Sequence, residues 1–226
     1  LDRYSIKGTF FVLGAIAHKH PKLIKKIFES GHEIGSHSTY HETITDFDPD
    51  SFKEDLKKSC GYIEDITGEK VLCYRSPSWS IDRENIRALE ILEEEGILFD
   101  SSIQPFKTFL SGDGSFPITP FHPVIDGRRL NLLEVPSTVR KICGIRVPFS
   151  GGTYFRVMPL FFTIKSFKKV SRRQNPMFYV HPWEIDPNQP RITANTLLKL
   201  LHYRKLDKME DKIYKLFDEI SFSSLM

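Results

Sequence analysis

The sequence predicts an α/β fold built on a parallel sheet. Short apolar runs rich in β-formers alternate with stretches of helical periodicity, and glycines close several of those stretches. Thr9 to Leu13 is such a run and reads as a buried strand. Pro21 to Ser30 places Leu23, Ile24, Ile27 and Phe28 at helical spacing, with Gly31 as its stop. His32 to His37 is the next strand. Asp48 to Thr67 reads as a capped helix with Phe52, Leu56, Cys60 and Ile63 on one stripe, ended by Gly68. Val71 to Tyr74 is a third strand, Asp82 to Glu95 a helix ending at Gly96, and Ile97 to Asp100 a fourth strand. Strands separated by helices imply right-handed βαβ crossovers, hence a barrel or a doubly wound sheet.

The second half is less regular. Gln104 to Arg129, rich in Pro, Gly, Phe and Asp, reads as a long structured loop of the kind that shapes a site. Leu132 to Val135 and Arg146 to Phe149 read as strands and Met158 to Ser171 as a helix. Met177 to Val180 reads as a buried strand that delivers His181 and Pro182. Thr193 to Ile220 is helical and highly charged. No repeat or low-complexity linker interrupts the chain, so it is expected to form one domain over 1–226, with 193–226 a C-terminal helical extension.

Composition bounds the function. The 226 residues are 40% hydrophobic and 27% charged, ordinary for a globular protein. A net charge of +3 is too small to point to nucleic acid, and Lys168-Lys169 and Arg172-Arg173 read as solvated helix faces. No apolar window is long enough for a transmembrane segment. Three scattered cysteines, Cys60, Cys73 and Cys143, exclude a cysteine zinc site and argue against a disulfide framework. Free thiols fit a reducing compartment, so a cytoplasmic location is expected. The chain opens at Leu1 without Met, and Leu1 to Tyr4 read as a helix's last turn, so it is expected to begin inside a domain. Oligomeric state is not legible.

Three segments carry candidate chemistry. His37 and His41 are spaced so that a helical turn would put both imidazoles on one face, where they can share a divalent ion. Among eight histidines a chance pair is equally compatible with that spacing. Arg75 follows a strand and precedes Pro77; it suits a bidentate carboxylate contact, or is a surface arginine before a turn. His181, at the end of an apolar run, suits general-acid work, or is a satisfied core histidine. All three fall where a strand meets a loop. In parallel α/β folds that is the edge where active sites gather.

Thr9-Phe-Phe-Val-Leu-Gly14, Gly31-His-Glu-Ile-Gly-Ser-His-Ser38 through His41, Arg75-Ser-Pro77 and His181-Pro182 follow one another in the order and spacing of a known motif set. On these segments the chain resembles the NodB-homology polysaccharide deacetylases, carbohydrate esterase family four. Asp100-Ser-Ser-Ile103, Leu133-Glu-Val-Pro136, Gly151-Gly-Thr-Tyr-Phe-Arg156 and His181-Pro-Trp-Glu-Ile-Asp186 are similar to the branch associated with bacterial exopolysaccharide loci. The resemblance implies an irregular (β/α)-barrel, commonly of seven strands. It also implies zinc or another divalent transition metal held by an Asp together with His37 and His41. Arg75 would orient a basic Asp and His181 would protonate a leaving amine. The substrate would be an N-acetylated glycan, losing acetate. Substrate contacts are expected from Tyr40, whose N–H would face an oxyanion, and from Pro77, Asp100, Tyr154 and Trp183, with Trp79 a further aromatic face.

The family's first motif, a pair of aspartates supplying base and third ligand, has no counterpart here, and the barrel is expected to lack its first strand. Asp100, Glu134, Glu184 and Asp186 are the substitute carboxylates on offer. Two readings stand beside the deacetylase: a catalytically incompetent carbohydrate-binding member, and an amidohydrolase acting on peptidoglycan or a small cyclic amide.

Overall fold

The computed structural model describes residues 1–108, 111–191 and 202–226. These form two compact units, Leu1–Ser137 with Phe222–Met226, and Thr138–Ser221. The sequence reads as one domain because the change from Ser137 to Thr138, just after the single Pro136, is not marked by a glycine- or proline-rich or low-complexity linker. What separates the units is where their contacts lie.

The first unit is built on a five-stranded parallel sheet in the order β1 (Thr9–Val12), β2 (Glu33–Ser36), β3 (Cys73–Tyr74), β4 (Phe99–Asp100), β7 (Leu133–Glu134). The register aligns Val12, Ser36, Tyr74, Asp100 and Glu134 across the sheet. The residues that follow, among them His37 and Arg75, therefore leave the sheet along one C-terminal edge. Three of the five strands are two residues long, and Gly35 lets the sheet pack closely: a Cβ there would meet the Cys73 carbonyl oxygen at 2.9 Å. A hairpin of β5 (Val124–Ile125) and β6 (Arg128–Arg129) stands inside the predicted long loop. Its turn, Asp126-Gly127, has both residues at positive φ, as a two-residue hairpin turn requires.

Helices α1 (Gly14–Lys19), α2 (Pro21–Glu29), α3 (Pro49–Thr67) and α4 (Ala88–Glu94) complete this unit. Asp48 caps α3 by accepting from the amides of Asp50 and Ser51, and Gly68 ends it at φ 74°. Its stripe of Phe52, Leu56 and Ile63 is buried with Ile24, Tyr74, Leu89, Leu92 and Leu132 in one core. The helix predicted over Asp82–Glu95 starts only at Ala88. The Asp82 carboxylate takes the amides of Glu84 and Asn85 into a local turn, and the Asn85 amide returns to the Ser80 carbonyl, so the first six positions are spent outside the helix.

The second unit holds the antiparallel pair β8 (Val139–Ile142) and β9 (Ile145–Pro148), then α5 (Gly152–Val157), α6 (Leu160–Val170) and α7 (Met209–Phe217). Phe149, Phe155, Phe167, Phe178 and Phe217 meet edge to face at its centre. The strand predicted over Met177–Val180 is reduced to one bridge, Tyr179 to Gly151, and Val180 is exposed. Phe178 enters the aromatic core, but the neighbouring backbone finds no ladder. Of the predicted helical tail, 193–201 lie outside the described residues. No helix among the described residues is long and apolar enough to cross a membrane.

Burial pushes the Cys60 and Cys73 thiols up to about 12, while Cys143 is exposed in the β8–β9 turn. A thiol-alkylating reagent at neutral pH is therefore expected to label Cys143 alone in the folded protein and all three cysteines in denaturant. Rapid native labelling of Cys60 or Cys73, read by mass spectrometry, would contradict this packing.

Candidate functional site

The His37–His41 segment leaves β2 as a loop, not as the helical turn that the spacing suggests. Ser38 and His41 both lie at positive φ, 67° and 68°. Side chains in that region cost on the order of 1 kcal/mol or more each, so the surroundings must hold them there. The amides of Gly14 and Ala15 donate to the carbonyls of Ser38 and Thr39. From α3, the Asp55 carboxylate accepts the Thr39 amide, and the Ser59 hydroxyl donates to the Ser38 carbonyl. The Thr39 hydroxyl closes on the Asp55 carbonyl.

This clamp brings the two imidazoles edge to face with centroids 5.2 Å apart. His37 Nδ1 lies 2.6 Å from the Arg75 carbonyl oxygen. A carbonyl only accepts, so Nδ1 carries the hydrogen and Nε2 keeps its lone pair for a metal ion. His41 is exposed. The pair fits the nitrogen half of a divalent transition-metal site. Among the described residues, no group of three His, Cys, Asp or Glu side chains is placed to complete one.

Arg75 follows β3. Its guanidinium sits over the rings of Phe11 and Trp79 and donates to the carbonyl and hydroxyl of Ser101. Ser78 and Trp79, directly after it, are again at positive φ. Beside Trp79 lies a hollow of about 160 Å³ lined by the polar residues Thr43, Thr45, Ser78, Ser80 and Asp82.

Beneath this edge Asp100 and Glu134, register partners on β4 and β7, are fully buried. Asp100 accepts from Ser102 and Glu134 accepts the Ile103 amide. Among the described residues Asp100 Oδ2 and Glu134 Oε2 accept no hydrogen bond, and two adjacent buried acids are compatible only if one keeps its proton. Burial raises both carboxyls, Glu134 well above its ordinary 4.5, with the Asp100 charge adding to it. Asp100 therefore has no surface to offer substrate, contrary to the expectation from sequence, and neither acid is a stand-in ligand. Pro77 is likewise buried, whereas Tyr40 is exposed with Lys58 over its ring.

In the second unit His181 caps a short turn, Pro182–Ile185. Its ring is half-exposed and its Nδ1 is 3.0 Å from Glu184 Oε2. Glu184 and its ion-pair partner Arg156 are both fully buried, 3.0 Å apart. Trp183, expected as a sugar platform, is stacked on His202 at 4.0 Å and lies under the Arg156 guanidinium. Tyr154 is half-buried on α5, and burial raises its phenol.

Residues 1–96 match the family described as Polysaccharide deacetylase, and 101–226 match Domain of unknown function (DUF3473). The chain belongs to the family described by the second of these, which covers more than half of it, and its first 96 residues are similar to the polysaccharide deacetylases. It is 31% identical over 150 residues to the peptidoglycan deacetylase-like protein FGM2 of Gibberella zeae, 61% of this chain and 44% of that protein. It spans less than half the length of the curated relatives it matches. A Mycobacterium smegmatis protein solved as a candidate polysaccharide deacetylase superposes with a TM-score of 0.62 at 19% identity, over 100% of this chain and 71% of that one. A mutant of BA3943 from Bacillus anthracis, a CE4 family pseudoenzyme with restored activity, superposes with a TM-score of 0.51 at 17% identity, over 100% of this chain and 58% of the other. The likeness to both is one of fold, so the site residues must decide activity.

Several residues that shape this family member's edge escape sequence reasoning. Gly14, Asp55 and Ser59 hold the histidine loop from elsewhere in the chain. The only available signal is that α3 carries an acid and a serine on its otherwise apolar side.

The buried acid pair has a consequence for stability. A carboxyl whose pKa is raised on folding stabilises the fold fully below its unfolded pKa, and that contribution is lost as pH rises toward the folded value. Stability is thus expected to fall above about pH 4.5, by at most about 1.4 kcal/mol per pH unit. Glu134→Gln, which can donate to Asp100, should flatten that slope in urea unfolding between pH 5 and pH 8. Parallel slopes in variant and wild type would show that the pair does not hold an extra proton.

Proposed function

We propose that the protein removes acetyl groups from N-acetylated amino sugars of a polysaccharide, with His37 and His41 holding a divalent metal ion and His181 serving as general acid. The observation that carries this reading is the fixed tautomer of His37, which presents Nε2 from a clamped loop on the C-terminal edge of a parallel sheet. Zinc is the ion that two imidazoles and one carboxylate suit best. When bound, such an ion polarises a water and the acetyl carbonyl. The carboxylate would be the acid of the family's first motif.

The remaining steps belong to this chain's own groups. The polar hollow beside Trp79 suits sugar hydroxyls, with the indole edge for a ring face. The backbone amide of Tyr40, an exposed residue, is a candidate donor to the acetyl oxygen, and Arg75 holds the loop after β3 against Ser101. His181 protonates the departing nitrogen. The unreversed order of the parallel strands supports an irregular (β/α)-barrel over a doubly wound sheet, whose order would reverse at a switch point. The motifs around Asp100, Glu134 and Arg156 support the exopolysaccharide-locus branch, with an exported glycan as the polymer. A second reading, a carbohydrate-binding member without turnover, is favoured by one observation: the described residues supply two metal ligands and no third.

Acetate release from N-acetylated oligosaccharides, including peptidoglycan fragments, separates the two. The full-length protein is expected to release acetate, to stop on chelation and to recover with added zinc. His181→Ala should lower kcat by about 100-fold or more. His37→Ala should abolish bound zinc in elemental analysis. Acetate release that survives chelation would contradict the mechanism, and binding without release in the metal-loaded protein would favour the second reading.

A further inference from the structure

We propose that Glu184 and Arg156 are positioning residues that fix His181 as a proton donor through Nε2, so that the region matched by a domain of unknown function supplies the acid step. The role assigned to His181 rests on the deacetylase reading. The geometry that orients it does not.

Glu184 has no exposed side-chain surface, and a carboxylate in that position stays ionised only if charge and hydrogen bonds compensate it. Arg156 supplies the charge from α5, with Nη1 3.0 Å from Glu184 Oε1 and Nη2 donating to the Thr153 hydroxyl at 3.1 Å. Glu184 Oε2 then accepts twice from one residue, the His181 backbone amide at 3.1 Å and the ring Nδ1 at 3.0 Å. An ionised carboxylate accepts only. Nδ1 must therefore carry a hydrogen in either charge state of the ring, and Nε2 is the atom that gains and loses the proton. The Trp183 ring lies nearly parallel to the imidazole at 5.7 Å and restricts its rotation.

The charge balance around the ring gives the device its use. Facing His181 are Glu184, the Arg156 guanidinium behind it, and His202, which stacks on the far partner Trp183 with Arg191 in its vicinity. Tyr179 packs edge-on to the ring. A lone buried carboxylate would hold the imidazole permanently protonated and make it a poor donor; a lone arginine would hold it neutral. With the two charges set against each other behind the ring, the pair fixes the imidazole's orientation and leaves Nε2 as the atom that exchanges the proton. In the acid step the proton passes from Nε2 to the departing nitrogen, which keeps the electron pair of the broken C–N bond. The imidazole ends neutral, with Nδ1–H still on Glu184.

Each buried group acts on His181 in the opposite direction, and a purely structural pair would move the midpoint without a matching loss of kcat that the conservative variant restores. The test is an NMR pH titration of His181 in the full chain, set beside pH–rate profiles. Glu184→Gln is expected to lower the His181 midpoint by about one pH unit or more, and Arg156→Gln to raise it. Glu184→Gln should also lower kcat by about 10-fold or more with KM little changed, and Arg156→Lys should restore most of the wild-type profile. If Glu184→Gln fails to fold, Glu184→Asp takes its place beside Arg156→Gln, with a smaller downward shift of the midpoint. Midpoints that stay put, or that move in one direction in both variants, would overturn the proposal. Opposite shifts in a protein that releases no acetate would uphold the positioning while sinking the deacetylase reading.

Discussion

The histidine loop exists because α1 can lie almost on top of α3. A Cβ on Gly14 would come within 2.9 Å of the Ser59 Cα, so only glycine allows the approach. That approach lets α1 and α3 grip the same stretch of backbone, Ser38-Thr39, from two sides. Without it, Ser38 and His41 would have no reason to remain in the left-handed region, and the imidazoles would not be held edge to face. The placement of the two imidazoles is thus a property of helix packing before it is a property of the histidines.

A second constraint runs along the sheet edge. Because Ser36, Tyr74, Asp100 and Glu134 share one register, whatever follows them is set out in a row. The carbonyl of Arg75 can then fix His37 on the neighbouring strand, and the Arg75 side chain can reach Ser101 on the next. Asp100 and Glu134 lie in the same row but one step deeper. Burial makes them a proton-holding support instead of ligands. In the other unit the same economy recurs at smaller scale, where one turn brings Glu184 back onto His181 and a buried arginine balances it.

Much of this was legible in the sequence where the signal is local. Strands β1 and β2 and helix α3 follow from apolar runs, an Asp-Pro start and a glycine stop. His37, His41, Arg75 and His181 stand out as candidates because of their residue types and, above all, the resemblance of the motifs that carry them; residue type and spacing alone leave the bland alternatives open. What was not legible depends on distant partners. The helical turn expected for the histidine segment was replaced by a loop that Asp55 and Ser59 hold from α3. Helix α4 lost its first turns to the Asp82 side chain. Met177 to Val180 carried an apolar strand pattern, yet found only one backbone partner, because pattern specifies a face to bury and not a ladder to join. Asp100, expected among the substrate contacts on the strength of the resemblance, is buried beside Glu134.

The most direct test of this account is the protonation of the His37 ring. Long-range proton–nitrogen NMR correlations on the full chain near pH 7.5 should show Nδ1 carrying the hydrogen and Nε2 without one, and only the Nε2 resonance should shift strongly on addition of zinc. A ring protonated at Nε2, or one whose Nε2 does not respond to zinc, would mean that the clamped loop does not present a metal ligand.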